Sequence, residues 1–96
     1  MANFIRGNTS SFSNISATTA AFTLPAGNYG VTVKATWGGG SVTLQKLAGD
    51  GSTYVTALTA FSADGYSTVL LPSGTYKFAV ATATGVYVDI AAIAEA

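Results

Sequence analysis

Tyr29-Gly30-Val31-Thr32-Val33-Lys34-Ala35-Thr36-Trp37 is the stretch on which the fold turns. Its odd positions are apolar and its even positions small or polar. Successive side chains of a strand point to opposite faces, so this pattern is a strand with one face on a core. Val42-Thr43-Leu44-Gln45, Tyr76-Lys77-Phe78-Ala79-Val80 and Val86-Tyr87-Val88-Asp89-Ile90 repeat it. Tyr54 to Phe61 and Tyr66 to Leu71 alternate less cleanly but are rich in β-formers. Between these runs lie Gly38-Gly39-Gly40, Gly49-Asp50-Gly51-Ser52, Asp64-Gly65 and Thr84-Gly85, residues that tolerate positive φ in tight turns. Seven or eight strands follow. No helix is needed, although Ile90 to Ala96 is apolar enough for a short final turn.

One motif occurs twice. Leu24-Pro25-Ala26-Gly27-Asn28-Tyr29 returns 47 positions later as Leu71-Pro72-Ser73-Gly74-Thr75-Tyr76, and six of fifteen aligned positions are identical as far as Gly38 and Gly85. Proline fixes φ at the second turn position, glycine ends the turn, and tyrosine starts the next strand pointing inward. A duplicated strand-turn-strand unit accounts for this, and two such units facing each other make a compact antiparallel β-sandwich, jelly-roll-like or immunoglobulin-like. The expected class is all-β, with one domain over residues 21–96.

Residues 1–20 differ from the rest, being small and polar with single hydrophobic interruptions. They read as an extended arm or as a frayed terminus. In the first reading, Phe4, Ile5, Phe12 and Ile15 are the anchors by which the arm grips a protein partner.

Only 8% of the 96 residues are charged, and the charges sum to zero. Four cations spread along the chain give no basic patch, which excludes an electrostatic nucleic-acid binder. Cysteine and histidine are both absent. With them go disulfides, thiolate nucleophiles, the commonest metal ligands and the usual neutral-pH base, so no cofactor, metal or catalytic residue is expected. There is no Gly-x-Ser-x-Gly, and Gly38-Gly39-Gly40 lacks the ending of a phosphate loop. No signal sequence and no run of the ~20 apolar residues that span a membrane is present, which points to synthesis in a reducing cytoplasm. The sequons at Asn8 and Asn14 are then chance products of a Ser/Thr-rich stretch.

The outward strand positions are the unusual part. Where a small soluble sandwich places Lys, Glu and Arg, this chain places Thr32, Thr36, Thr43, Ala79 and Ala81. Charges blunt strand edges and keep β proteins apart. Their scarcity points to surface covered by other protein, as a homo-oligomer or on a lattice. Asp50 and Asp64, in Gly-flanked turns, read as bonding their local backbone, and Asp89 as facing outward. Trp37 keeps the inward phase of Val31 and Val33 and should cap the core. Tyr87 has the opposite phase to Val86 and Val88, which makes it a candidate sandwich interface residue.

The stretches Thr36 to Gln45, Asp50 to Val55, Leu71 to Tyr76 and Ala83 to Tyr87 resemble, in style and order, small β-rich structural proteins of tailed bacteriophage virions. The resemblance covers roughly residues 24–93. Head decoration, or cement, proteins match best in size and composition. The resemblance implies a non-enzymatic protein, made in the host cytoplasm and carried on the virion. It would bind the major capsid protein, copies of itself, or both, on the outer capsid surface and brace the shell. The alternative is a glycan- or receptor-binding module with an aromatic cleft around Trp37, Tyr54 or Tyr66.

Overall fold

A computed structural model describes residues 9–93 of the chain. The alternating runs form eight strands: β1 (Thr9–Ile15), β2 (Phe22–Leu24), β3 (Gly27–Thr36), β4 (Ser41–Leu47), β5 (Tyr54–Thr56), β6 (Gly65–Leu71), β7 (Gly74–Ala81) and β8 (Thr84–Ala92). They pair antiparallel throughout as two four-stranded sheets: a front sheet in the order β6-β3-β8-β1 and a back sheet in the order β2-β7-β4-β5. The expected all-β sandwich is therefore present. The described residues contain no helix, and β8 runs through Ala92 where a final turn was an option. The run expected over Tyr54 to Phe61 is strand only for its first three residues; beyond them Phe61 makes a lone bridge to Val42.

The repeated motif forms the two corners where the chain passes between sheets. Leu24-Pro25-Ala26-Gly27 leads from the back sheet to the front, and Leu71-Pro72-Ser73-Gly74 leads back again. The corners pair with each other: Leu24 lies opposite Gly74 and Gly27 opposite Leu71. The Tyr29 hydroxyl donates to the Pro25 carbonyl, and the Tyr76 hydroxyl to the Pro72 carbonyl. Both rings are buried, and this bond satisfies the one polar atom each carries into the interior. The likeness extends through both sheets. Val31 pairs with Ile90 as Phe78 pairs with Leu44, and Val33 with Val88 as Val80 with Val42. The sandwich is thus built on an approximate two-fold relation that exchanges β6, β3, β8 and β1 with β2, β7, β4 and β5.

The core is filled by the inward residues of both sheets, with Tyr29, Tyr76, Phe78, Leu44 and Ile90 its largest members. No buried polar side-chain atom among the described residues lacks a partner. From Thr9 onward, the stretch read as a separate arm belongs to the sandwich. β1 pairs with β8 along the front sheet, and Thr18 and Thr19 continue the back sheet by bonding Phe78 and Val80 of β7. Phe12 shows why. Its ring lies 5.8 Å from that of Phe22 and 6.1 Å from that of Phe78, closing the open side between the sheets. An aromatic side chain exposed at that place would forfeit a burial worth about 1.5–3 kcal/mol.

Candidate functional site

The outer face of the front sheet is where the molecule departs from a bland surface. On β6 the outward phase carries Tyr66, Thr68 and Leu70, of which Tyr66 and Leu70 are 61% and 73% exposed. β3 contributes Asn28, Gly30, Thr32 and Lys34, and β8 contributes Tyr87, Asp89 and Ala91. The register aligns Tyr66, Thr32, Asp89 and Ser11 in one row across four strands, with Lys34 beside Tyr87 in the next. Aromatic rings therefore stand on both sides of a short polar strip of hydroxyl, carboxylate and ammonium groups.

Tyr66 is held by what β3 lacks. A Cβ built on Gly30 would come within 2.8–3.2 Å of the Tyr66 hydroxyl and ring, so the phenol rests against bare backbone. Glycine in mid-strand marks such a close approach, and an aromatic neighbour covers the backbone it exposes. The ring is thereby positioned while most of it stays open to solvent.

The back sheet is different at the same positions. Leu70, opposite Asn28, corresponds to Thr23 opposite Thr75; Tyr87, opposite Lys34, corresponds to Ser41 opposite Ala81. A cation-aromatic contact there places the Lys77 ammonium 4.1 Å from the Tyr54 ring centre. That pairing covers Tyr54, and among the described residues no exposed aromatic ring lies on this face.

The residues singled out by sequence are distributed as follows. Phe4 and Ile5 lie outside the described residues. Phe12 and Ile15 pack against the core of their own chain instead of projecting toward a partner. Tyr87 is half-exposed on the front face, as its phase requires. Of the three aromatics considered for a glycan cleft, Trp37 packs on the core and Tyr54 lies under Lys77, so Tyr66 alone is open. Leu70 was missed because a hydrophobic residue in a loosely alternating run carries no face label. The signal for the face was Gly30, an outward glycine between polar positions.

The carboxylates also sort apart. Asp50 bonds the Ser52 and Thr53 amides and the Thr53 hydroxyl, the local turn chemistry expected. The Thr53 hydroxyl first, then the two amides, pull its pKa down to about 2. Asp64 corrects the expectation that it serves its own turn. It accepts from the Trp37 indole at 2.9 Å and the Ala35 amide at 3.1 Å, tying the start of β6 to the end of β3. These bonds, the indole's foremost, hold its carboxyl below the usual range. Among the described residues, no three His, Cys, Asp or Glu side chains converge on a point that would hold a metal ion.

No protein-family model matches the chain, and no curated protein sequence matches it. Among solved structures, it is similar to a carbohydrate-binding module of Cellvibrio mixtus lichenase 5A, solved in complex with cellotriose. The identity is 19%, the alignment covers 93% of this chain and 90% of that one, and the TM-score is 0.39.

Proposed function

We propose that the chain is a non-catalytic binding module whose ligand, a polysaccharide, lies along the outer face of the front sheet. The open, backbone-braced ring of Tyr66 carries this reading. A pyranose presents an apolar C–H face that stacks on an aromatic ring and a rim of hydroxyls that needs polar partners. Tyr66 and Tyr87 supply the first, and Thr32, Thr68 and Asp89 between or beside them supply the second. The outer face of an extended antiparallel sheet suits a chain of sugars better than a single small molecule. Pull-down on insoluble cellulose, chitin and xylan, with soluble β-glucan and bacterial O-antigen in affinity gels, tests it. Retention by at least one of these, lost in Tyr66→Ala while the fold persists, is the expected result. Equal retention of wild type and variant, or none by any glycan, overturns it.

Leu70 favours a second reading, because an aliphatic side chain 73% exposed has no use in stacking on sugar. In that reading the same face lies against protein, as in capsid decoration, and the partner is a virion shell. Retention on capsids with none on glycans is its signature.

A further inference from the structure

The four sheet edges are not equally protected. β2 and β5 are three residues long, too short to template another strand. β1 has a break in register between Phe12 and Ile15, with Asn14 in the left-handed region at φ 54°, which bends that edge. β6 carries none of these devices. Its seven residues, Gly65-Tyr66-Ser67-Thr68-Val69-Leu70-Leu71, include no charge and no proline, and they pair with β3 in unbroken register from Leu71 to Gly65. Alternate residues of an edge strand turn their N–H and C=O groups away from the sheet, and an unblunted edge of this kind is a template for another strand.

The sequence of β6 names the strand that fits. In an antiparallel pair of two copies centred on Thr68, Tyr66 faces Leu70 of the other copy, Ser67 faces Val69, and each relation occurs twice by symmetry. The two most exposed large hydrophobic residues among those described then stand side by side across the seam, their flanks in contact and the front face above them open. No charge meets a like charge at any position. We infer that two copies of this chain associate edge to edge through β6, making one continuous eight-stranded front sheet. The inference stands apart from the nature of the ligand, since edge pairing leaves both outer faces on the same side and open.

The chain contains no cysteine, so single cysteines report the geometry. Thr68→Cys places two thiols opposite each other at the symmetry centre and should oxidise to a covalent dimer, while Val55→Cys on β5, similarly exposed, should stay monomeric. In sedimentation equilibrium on the full chain, wild type should run at twice the monomer mass. Thr68→Lys, whose outward side chain leaves the core untouched, should return it to monomer with an unchanged melting temperature at low concentration. A wild type monomeric up to millimolar concentration, or a dimer indifferent to Thr68→Lys and cross-linked equally by Val55→Cys, overturns the inference.

Discussion

The front and back sheets share a plan and differ in their skins. Inside, equivalent pairs are hydrophobic in both, and both corners are locked by a tyrosine bonded to the carbonyl of the preceding proline. Outside, Tyr87 and Leu70 in front stand where Ser41 and Thr23 stand behind. An interior must satisfy packing and hydrogen bonding at every position, which fixes what both halves keep. An exterior is free to diverge, and the front face, where it does, is the one proposed to bind.

The sharpest way to break the two-fold plan is at the hairpins. Gly40 ends the β3–β4 turn where a Cβ would come within 2.1 Å of the Ala81 carbonyl oxygen and 2.5 Å of the Ala83 amide in the opposing hairpin. Both obstacles are backbone and cannot swing aside. Gly40→Ala should cost about 3 kcal/mol, at the upper end of overpacking, measured by urea unfolding. Phe12→Ala should cost slightly less, about 2–3 kcal/mol, because the ring is partly buried and bridges both sheets. Deleting residues 2–20 removes β1 altogether, and the truncated chain should unfold far more readily than wild type instead of behaving as an intact sandwich that has lost an arm.

The hairpins also differ in a way that can be repaired. Gly38 and Gly39 take the left-handed region in one turn, whereas Thr82, a β-branched residue, takes φ 68° in the other. A β-branched side chain is strained there by roughly 1–2 kcal/mol. Thr82→Gly should therefore raise stability by about 1 kcal/mol, net of the entropy glycine adds to the unfolded chain. A loss of stability would show that the turn is held by contacts the threonine makes.

Much of this was legible in the residues. Period-two alternation located β3, β4, β7 and β8, because strands with one buried face write their burial into every second position. The Leu-Pro-x-Gly-x-Tyr repeat announced two equivalent corners. What it could not show is that the corners pair with each other, Leu24 with Gly74 and Gly27 with Leu71, a long-range relation no local pattern carries. β1 was read as an arm because Ser and Thr between single hydrophobics look alike in a solvated segment and in an edge strand. Its assignment rests on Phe12 meeting Phe22 and Phe78, which local sequence does not encode.

If the two corners are equivalent, their tyrosines should respond alike. Tyr29→Phe and Tyr76→Phe each remove one hydroxyl and orphan one proline carbonyl, for an expected loss of about 1 kcal/mol apiece. Burial raises both phenol pKa values, with the neighbouring Tyr29 a lesser cause for Tyr76. A pKa raised on folding contributes stability that is whole below the unfolded value, about 10, and is lost as pH climbs from there through the folded value. Chemical denaturation between pH 9 and 12 should show this alkaline loss, flattened in either single variant. A twofold disparity between the variants would mean that one corner bears more of the fold than the other.

The smallest expected effect separates the two Asp-Gly turns. Asp50 is fully exposed and its bonds are local, so its low pKa should govern its own turn and little else. A pKa depressed on folding contributes stability that is present above the unfolded carboxylate range, about 4, and drains away as pH falls toward about 2. In an acid titration followed by NMR, the Ser52 and Thr53 amides should shift with a midpoint near 2, and Asp50→Asn should erase that step and lower the neutral-pH melting temperature only slightly, since the exposed carboxylate is screened by solvent. Asp64 is equally exposed, yet its bonds join β3 to the start of β6. Its protonation should instead appear in Trp37 fluorescence, and Asp64→Ala should loosen the strand that carries Tyr66. Trp37 emission that stays constant from pH 7 to pH 2 would mean that the indole does not depend on this carboxylate, and the comparison between the two turns would fail.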